Sequence, residues 1–198
     1  MDAVIQQLTS PLKLWSRAEV LARPCPVPKR PGIYAWYFLE GPGSVDVTGC
    51  LEHDGFRLLY VGISPKAPPK NGKPPSRQTL RSRIQSHFRG NASGSTLRLT
   101  LGCLLAPQLG IDLRRVGIGE RLTFSTGEEK VSAWMDQNAR VCWAECVEPW
   151  NIEVRAISLL TLPLNIDQNA RHPFCAKLRQ IRSAAAQKAK YATVVLPH

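Results

Sequence analysis

Residues 31–39 read Pro-Gly-Ile-Tyr-Ala-Trp-Tyr-Phe-Leu, an apolar and aromatic run that follows a proline-rich segment. Such a run is typical of a buried strand, so we predict a β-strand from Ile33 to Leu39. A second run, Arg57–Ile63, predicts another strand and contains Leu-Tyr-Val-Gly at residues 59–62. A third candidate strand covers Val141–Val147. Together these runs indicate a small antiparallel sheet.

Apolar residues recur at helical spacing outside these strands, and several of the stretches follow a capping residue. The predicted helices span Pro11 to Ala22 with Ser10 as N-cap, Gln78 to Phe88, Ser95 to Leu105, Ser132 to Asn138, Asn151 to Leu162, and Pro173 to Lys190. A loop and a short hairpin are expected before Ser132, and the proline-rich stretch 65–75 predicts an exposed loop. The fold class is therefore α+β, with a three-stranded antiparallel sheet flanked by helices.

The length of 198 residues corresponds to one domain with terminal extensions. We expect an N-terminal helical extension over 1–30, a core domain over 31–167 and a basic helical extension over 168–198. No apolar run approaches the roughly 18 residues that a membrane span needs. The N-terminus also lacks the basic-then-apolar pattern of a signal peptide, so we expect a soluble, cytoplasmic protein without a membrane partner.

Six cysteines are scattered along the chain, and none belongs to a C-x-x-C pair. The two nearest, Cys142 and Cys146, fall in a predicted strand, where four residues span about 13 Å, too far for one zinc ion. Without a secretion signal, a disulfide framework is also disfavoured. We therefore expect reduced thiols, most of them buried.

The net charge of +11 is concentrated in two segments of the chain. Residues 64–100 contain eight lysines and arginines, residues 168–198 contain six, and neither segment contains an acid. A basic surface of this kind attracts a polyanion, most commonly nucleic acid. The alternative is a surface that serves solubility alone.

Glu153 lies on the apolar side of its predicted helix. At about 100° per residue it falls within the same arc as Ile152, Ala156, Ile157, Leu159 and Leu160. Arg155 and Ser158 lie on the polar side. A carboxylate that faces a core is costly unless it is paired or binds a metal. The pattern therefore predicts a metal site or a buried ion pair with an arginine.

Five sequence elements occur in a characteristic order. They are Pro-Gly-Ile-Tyr at 31–34, Leu-Tyr-Val-Gly at 59–62, the helical Leu-Arg-Ser-Arg-Ile-Gln-Ser-His-Phe at 80–88, Glu153 on a later helix, and Pro-Leu-Asn at 163–165. This order and spacing resemble the GIY-YIG endonuclease superfamily, which includes homing endonucleases, some restriction enzymes and the incision nuclease of nucleotide excision repair. The likeness covers about residues 31–165, most of the chain.

The resemblance implies a metal-dependent endonuclease that hydrolyses DNA phosphodiester bonds and leaves 5′-phosphate and 3′-hydroxyl ends. Its cofactor would be one divalent ion, Mg²⁺ with Mn²⁺ as a substitute, and its partner DNA, with RNA not excluded. The catalytic set carried over from the family comprises Tyr34, Tyr60, Arg83, His87, Glu153 and Asn165, with Glu153 as the metal ligand and Gly32 and Gly62 as structural motif residues.

Each role in that set has a plain alternative. One tyrosine would act with water as the general base and the other would position the nucleophile or phosphate, but both can simply pack in a sheet. Arg83 would neutralise transition-state charge, whereas Arg81 is expected to be solvated. His87 would assist the base or be structural, and Asn165 would fix the site by hydrogen bonds or form a turn.

The glycines are expected where strands and a substrate backbone approach closely, or at a bulge or strand end. Many relatives carry a lysine after the second motif, where this chain has Ile63 and then Ser64. The basic loop 65–77 is expected to contact the substrate backbone, through Lys66, Lys70, Lys73 and Arg77. Residues 91–140 carry no motif that we could assign.

Two other classes of function remain open. The chain can be a non-catalytic nucleic-acid-binding module on the same scaffold, with binding that is sensitive to salt. It can also be a structural or adaptor protein whose basic faces meet a protein or membrane partner. The joint presence of the tyrosines, the arginine, the glutamate and the asparagine favours the enzyme.

Overall fold

The computed structural model describes residues 2–69, 71 and 76–195. Within them the strands are β1 (Gly32–Phe38), β2 (Glu52–His53), β3 (Phe56–Ser64), β4 (Arg114–Arg115), β5 (Leu122–Thr123) and β6 (Ala139–Glu145). The helices are α1 (Ala3–Thr9), α2 (Arg17–Leu21), α3 (Leu80–Arg89), α4 (Thr96–Leu109), α5 (Gly127–Asn138), α6 (Pro149–Leu159) and α7 (Pro173–Tyr191). The α+β prediction is confirmed.

The main sheet is antiparallel, with the strand order β2-β3-β1-β6. The three predicted strands correspond to β1, β3 and β6. The fourth, β2, was not predicted, because two residues are too short to show an alternating pattern. The central strand β1 places Tyr34 opposite Gly62 on one side and Trp143 on the other.

Both faces of the sheet are covered by helices, which explains why every residue of β1 is buried. Tyr34, Trp36 and Phe38 face the larger core, to which α2, α3, α4, α5 and α7 contribute. The alternate residues Ile33 and Ala35 face a smaller core, completed by α1 and α6. Period-two alternation places successive side chains in different cores, so the strand has no polar face.

The predicted helix from Pro11 to Ala22 is wrong at its start but correct at its end, since α2 covers only Arg17–Leu21 and has Ala22 as its C-cap. Ser10 ends α1, and α2 begins after Ser16, whose side chain forms a capping box with Glu19. The segment between the helices is extended, because Trp15 exchanges two backbone hydrogen bonds of 2.9 and 3.0 Å with Val141 of β6. A proline after serine also fits this turn, and the reciprocal cap at Ser16 is the stronger start signal.

Helix α1 was not predicted. The remaining predicted helices agree with the structure except at their ends. Ser95 caps α4 as predicted, by accepting a hydrogen bond from the Arg98 N–H, but the helix continues past Pro107. Ser132 is not an N-cap: α5 begins five residues earlier, at Gly127, and the Ser132 hydroxyl donates to the Glu128 carbonyl. The predicted hairpin is present as β4 and β5.

The six cysteines are all free thiols, as predicted. Cys103, Cys142 and Cys175 are buried, and the remaining three are half-buried. None of the described helices is both long and apolar enough to cross a membrane.

Candidate active site

Gly62 is required by the position of the Tyr34 ring. The two residues are direct partners across β1 and β3. A Cβ atom at Gly62 would lie 2.5 Å from the Tyr34 Oη and 2.7 Å from its Cζ. The close approach predicted at this glycine therefore exists, but the approaching group is a tyrosine side chain of the same sheet rather than a substrate backbone.

Gly32 is needed for a different contact. A Cβ atom there would overlap the Ala144 carbonyl of β6 and come within 2.7 Å of a Leu80 methyl carbon. The first residue of β1 thus lets α3 pack directly over the junction of two strands. This contact fixes the start of α3, which also carries Arg83 and His87.

A pocket of about 360 Å³ opens where the end of β3, the first turns of α3 and one face of α6 meet. Five of the residues predicted to be catalytic line it together: Tyr34, Tyr60, Arg83, Glu153 and Asn165. Gly62 and Lys66 line it as well. Residues that are more than a hundred positions apart in sequence therefore share one small volume.

Arg83 reaches the pocket from the flank of α3, as its spacing from Leu80 predicted. Its Nη1 donates a hydrogen bond of 2.9 Å to the Gly94 carbonyl, which leaves other donors of the guanidinium available. Arg81 was expected to be solvated, and this is wrong. Its Nε donates to the Val27 carbonyl at 2.6 Å, so Arg81 ties α3 to the segment before β1.

Glu153 faces the pocket from α6, half-buried beside Trp150 and Ile157. It forms no ion pair with any described residue, which removes the predicted alternative of a buried arginine partner within that part of the chain. Burial raises the pKa of Glu153 to about 7, with a smaller opposing effect from Lys66. The predicted apolar arc holds except at Leu159, which is 63% exposed.

His87 is fully buried and lies behind Tyr34 rather than in the pocket. Its Nε2 is 2.8 Å from the Tyr34 Oη, and its Nδ1 is 2.6 Å from the Ser95 Oγ. Burial lowers the pKa of His87 well below its ordinary value, and the charges of Arg83 and Arg98 lower it further. The imidazole is therefore neutral, and Tyr34 is the pocket residue to which its side chain is hydrogen-bonded.

The two tyrosines of the site are neutral phenols. Burial raises the pKa of Tyr34, while the nearby Arg83 guanidinium lowers it by a smaller amount. Burial also raises the pKa of Tyr60, and Arg83 again opposes the shift. The Arg83 guanidinium therefore lowers the pKa of both hydroxyls, so the three groups lie close enough to interact electrostatically.

Asn165 holds the free edge of β3. Its Oδ1 accepts from the Val61 N–H and its Nδ2 donates to the Val61 carbonyl, both at 2.9 Å. The preceding Leu164 N–H donates to the Leu59 carbonyl at 3.1 Å. The segment after α6 thus supplies hydrogen-bond partners to backbone groups of β3 on either side of Tyr60. Asn165 both follows a turn and forms hydrogen bonds at the site, so the two alternatives are compatible.

The basic loop is described in part. Lys66 is exposed and lines the pocket, whereas Arg77 is exposed without lining it. Lys70 and Lys73 lie outside the described residues. Contacts of this loop with a substrate backbone remain a prediction.

Several pocket residues were not predicted. Asp167 and Arg182 line it, and Thr96 of α4 stands at its edge. The order of the five motifs carries no information on these positions, although Arg182 lies in the basic segment that the charge distribution had singled out. Contacts between distant elements bring these residues to the site.

Residues 91–140, in which we could assign no sequence motif, contain side chains that contact His87 and help to fix its position. Arg98 is fully buried, and its Nη2 lies 2.8 Å from the Glu128 carboxylate, while its Nη1 donates to the His87 carbonyl at 3.3 Å. Glu128 also accepts from the Ala92 and Phe124 N–H groups. This buried ion pair has its remaining hydrogen bonds satisfied, the condition under which such a pair is tolerated in a core.

A comparison with protein families matches residues 32–184 to the GIY-YIG catalytic domain. This range contains every residue of the predicted catalytic set. No curated protein and no solved structure matched the chain.

Proposed function

The chain belongs to the GIY-YIG catalytic domain family, and from this premise we propose that it is a metal-dependent endonuclease that hydrolyses DNA phosphodiester bonds. One observation carries the proposal: both motif tyrosines, Arg83, Glu153 and Asn165 line a single pocket of about 360 Å³. A volume of this size admits one phosphodiester group with its attacking water. The products would carry 5′-phosphate and 3′-hydroxyl ends, as the family resemblance implies.

Tyr34 is the proposed acceptor of the proton that the attacking water loses. Its Oη is within hydrogen-bond distance of the His87 Nε2. In the tautomer whose Nδ1–H donates to Ser95, that Nε2 accepts the Tyr34 proton while the phenol oxygen accepts one from water. Because burial and two nearby arginines lower the pKa of His87, the imidazole holds this proton only briefly. Tyr34 then returns a proton to the pocket, where the departing 3′-oxygen takes it directly or through water, and His87 is neutral again. Tyr60, across the pocket, would orient the water or the phosphate.

Arg83 is the proposed stabiliser of charge on the phosphate. Its guanidinium lines the pocket and has donors to spare beyond the bond to Gly94. A planar, permanently charged fork suits the oxygens of a pentacovalent phosphorus, and it is most effective where charge develops in the transition state. Because the Gly94 bond fixes part of the side chain, little reorganisation is needed during the reaction.

Glu153 is the proposed ligand of the divalent cation. A half-buried carboxylate without an ion-pair partner among the described residues offers the hard oxygen donor that Mg²⁺ prefers. No cluster of three or more potential ligands exists in the described part of the chain, which fits a cation held by few protein ligands and by water. When bound, such an ion would stabilise negative charge on the phosphate and leaving oxygen. Glu153 in its ionised form would hold the ion.

The test is nicking of supercoiled plasmid by the purified protein with Mg²⁺, with Mn²⁺, or with chelator. We expect cleavage with either metal and none with chelator. Glu153→Gln should abolish cleavage, whereas Glu145→Gln should not, because Glu145 is exposed on β6 and does not line the pocket. Equal activity of the two variants would refute the assigned site. Salt-sensitive DNA binding without cleavage under any metal would favour a non-catalytic binding module.

A further inference from the structure

A second groove leads away from the candidate active site along the C-terminal helix. It has a volume of about 430 Å³ and lies between the start of α4, the β4–β5 hairpin and α7. It shares Thr96, Ile166, Asp167 and Arg182 with the candidate active-site pocket, so the two cavities are direct neighbours. A molecule bound at the proposed scissile position can therefore extend into it.

The floor of this groove is apolar and its rim is basic. Leu99, Leu113 and Leu122 contribute side chains to the floor. Arg179 and Arg182 of α7 line it from the other side, and neither forms an ion pair with a described residue. Asp167 also lines the groove, but it forms no ion pair with either arginine among the described residues. The groove therefore presents an apolar surface beside two guanidinium groups and one carboxylate. This excess of positive charge next to an apolar surface matches the two chemical faces of a nucleotide, its phosphate and its base.

We propose that this groove, which we call the strand groove, binds a single-stranded segment of the nucleic-acid substrate that continues from the scissile phosphate. The proposal rests on the proposed nuclease function and specifies its substrate as nucleic acid with an unpaired arm. In a duplex the base faces are stacked inside and the phosphates lie outside, so an apolar floor has nothing to contact. A single strand presents base faces to apolar surfaces and phosphates to cations at once.

The face of α7 that lines the groove offers a matched pair of variants. Arg179, Arg182, Ser183 and Ala186 recur at helical spacing and all line the groove. Ala184 lies on the opposite side of the helix and is exposed. Ala186→Glu therefore introduces a carboxylate into the groove, whereas Ala184→Glu makes the same change of charge and composition two residues away.

The experiment measures binding by fluorescence anisotropy in chelator, so that no cleavage is needed. Three probes of shared sequence are compared: a blunt duplex, a single strand, and a duplex with a single-stranded arm. We expect the armed duplex to bind roughly tenfold tighter than the blunt duplex, through apolar contact of one or two bases with the leucines and through the added phosphate contacts. Ala186→Glu should remove that advantage and leave blunt-duplex binding within about twofold of Ala184→Glu.

Arg179→Ala gives a second test, which removes a side chain from the groove instead of adding one. Loss of one phosphate contact with a single strand should reduce the slope of log affinity against log salt by about 0.7. Lys177→Ala, on the opposite side of α7 and exposed, is the control. It should leave the slope for the unpaired arm unchanged.

Three results would overturn the strand groove. In the first, the single-stranded arm adds no affinity. In the second, Ala186→Glu and Ala184→Glu bind every probe with equal affinity. In the third, light scattering shows a concentration-dependent dimer that Ala186→Glu alone disrupts, which would assign the groove to a second copy of the chain. In each case metal-dependent plasmid nicking would still support the proposed function. Failure to bind any probe and to nick plasmid would reject both.

Discussion

Asn165 binds the backbone of Val61 through both atoms of its side-chain amide, with two hydrogen bonds of 2.9 Å. Val61 lies between Tyr60 and Gly62, the two motif residues of β3. Outside its first residues β3 has no neighbouring strand on this side among the described residues, so the amide takes the place of one. A side chain from beyond α6 thereby holds the strand that carries Tyr60 and Gly62.

Asn165→Ala should destabilise the protein and reduce activity together. The substitution leaves a buried N–H and a buried carbonyl of Val61 without partners, at a cost of about 2–4 kcal/mol of unfolding free energy. Urea denaturation measures the loss, with Asn151→Ala at an exposed position as the control. A change below about 0.5 kcal/mol would mean that the amide does not hold the strand.

Gly62→Ala should cost stability because of Tyr34. The added methyl group would lie 2.5–2.9 Å from three atoms of the tyrosine side chain, so the ring must move. We expect a loss of about 1–3 kcal/mol in the wild-type background and a much smaller loss in Tyr34→Ala. A double-mutant cycle measures the coupling between the two positions. Additive effects would show that the ring does not set the requirement for glycine.

Glu153→Gln should make the metal-free protein more stable at pH 8. The folded-state pKa of about 7 exceeds the ordinary value of 4.5, so the folded state binds more protons between these values. Stability attributable to the protonated carboxyl is present at low pH and is lost as pH rises through that window. The neutral amide avoids this loss, and we expect a gain of about 1–3 kcal/mol at pH 8 and little difference at pH 4.

Thermal or urea unfolding in chelator tests this gain, with Glu145→Gln as the matched variant. An unchanged or lowered stability of Glu153→Gln at pH 8 would contradict the account of a carboxylate held in an apolar setting.

His87 should make the protein less stable as pH falls below 6.5. The folded-state pKa of this buried imidazole is lowered, so below that pH the unfolded chain binds a proton that the folded one does not. Unfolding free energy then falls with pH by up to about 1.4 kcal/mol per unit. His87→Gln should show a shallower fall between pH 6.5 and 5. Parallel curves for the two proteins would indicate that His87 becomes protonated within the folded protein.

The strands could be predicted because their signals are local, and the clustering of the motif residues could be predicted because their order along the chain resembles that of a known family. The buried run of β1 is uniformly apolar, and each motif residue has a fixed position within its own element. Helical periodicity alone also predicted that Glu153 lies on the apolar side of its helix. Periodicity does not determine which of two possible N-cap residues begins a helix. Here the helix begins after Ser16 and not after Ser10, because Ser16 forms a capping box with Glu19 and because Trp15 pairs with β6.

Contacts between distant elements could not be predicted. A helical wheel places Arg81 on the solvent side of α3. Its partner carbonyls belong to an irregular segment before β1, and helical periodicity gives no information on where that segment runs. The support of His87 by Ser95 and Arg98 is of the same kind. Arg182 lines the pocket because α7 packs against α4 beside the site, and this packing is not visible in the local sequence.

The measurement that most directly tests the pocket as the active site is single-turnover cleavage of a labelled oligonucleotide in Mg²⁺ by two variants of α3. Arg83→Ala removes the guanidinium that lines the pocket, and Arg89→Ala removes an exposed one at the other end of the helix. We predict that Arg83→Ala slows cleavage by at least about a hundredfold while it still folds, as expected for loss of transition-state stabilisation, and that Arg89→Ala stays near wild type. Equal rates for the two variants would contradict the central claim.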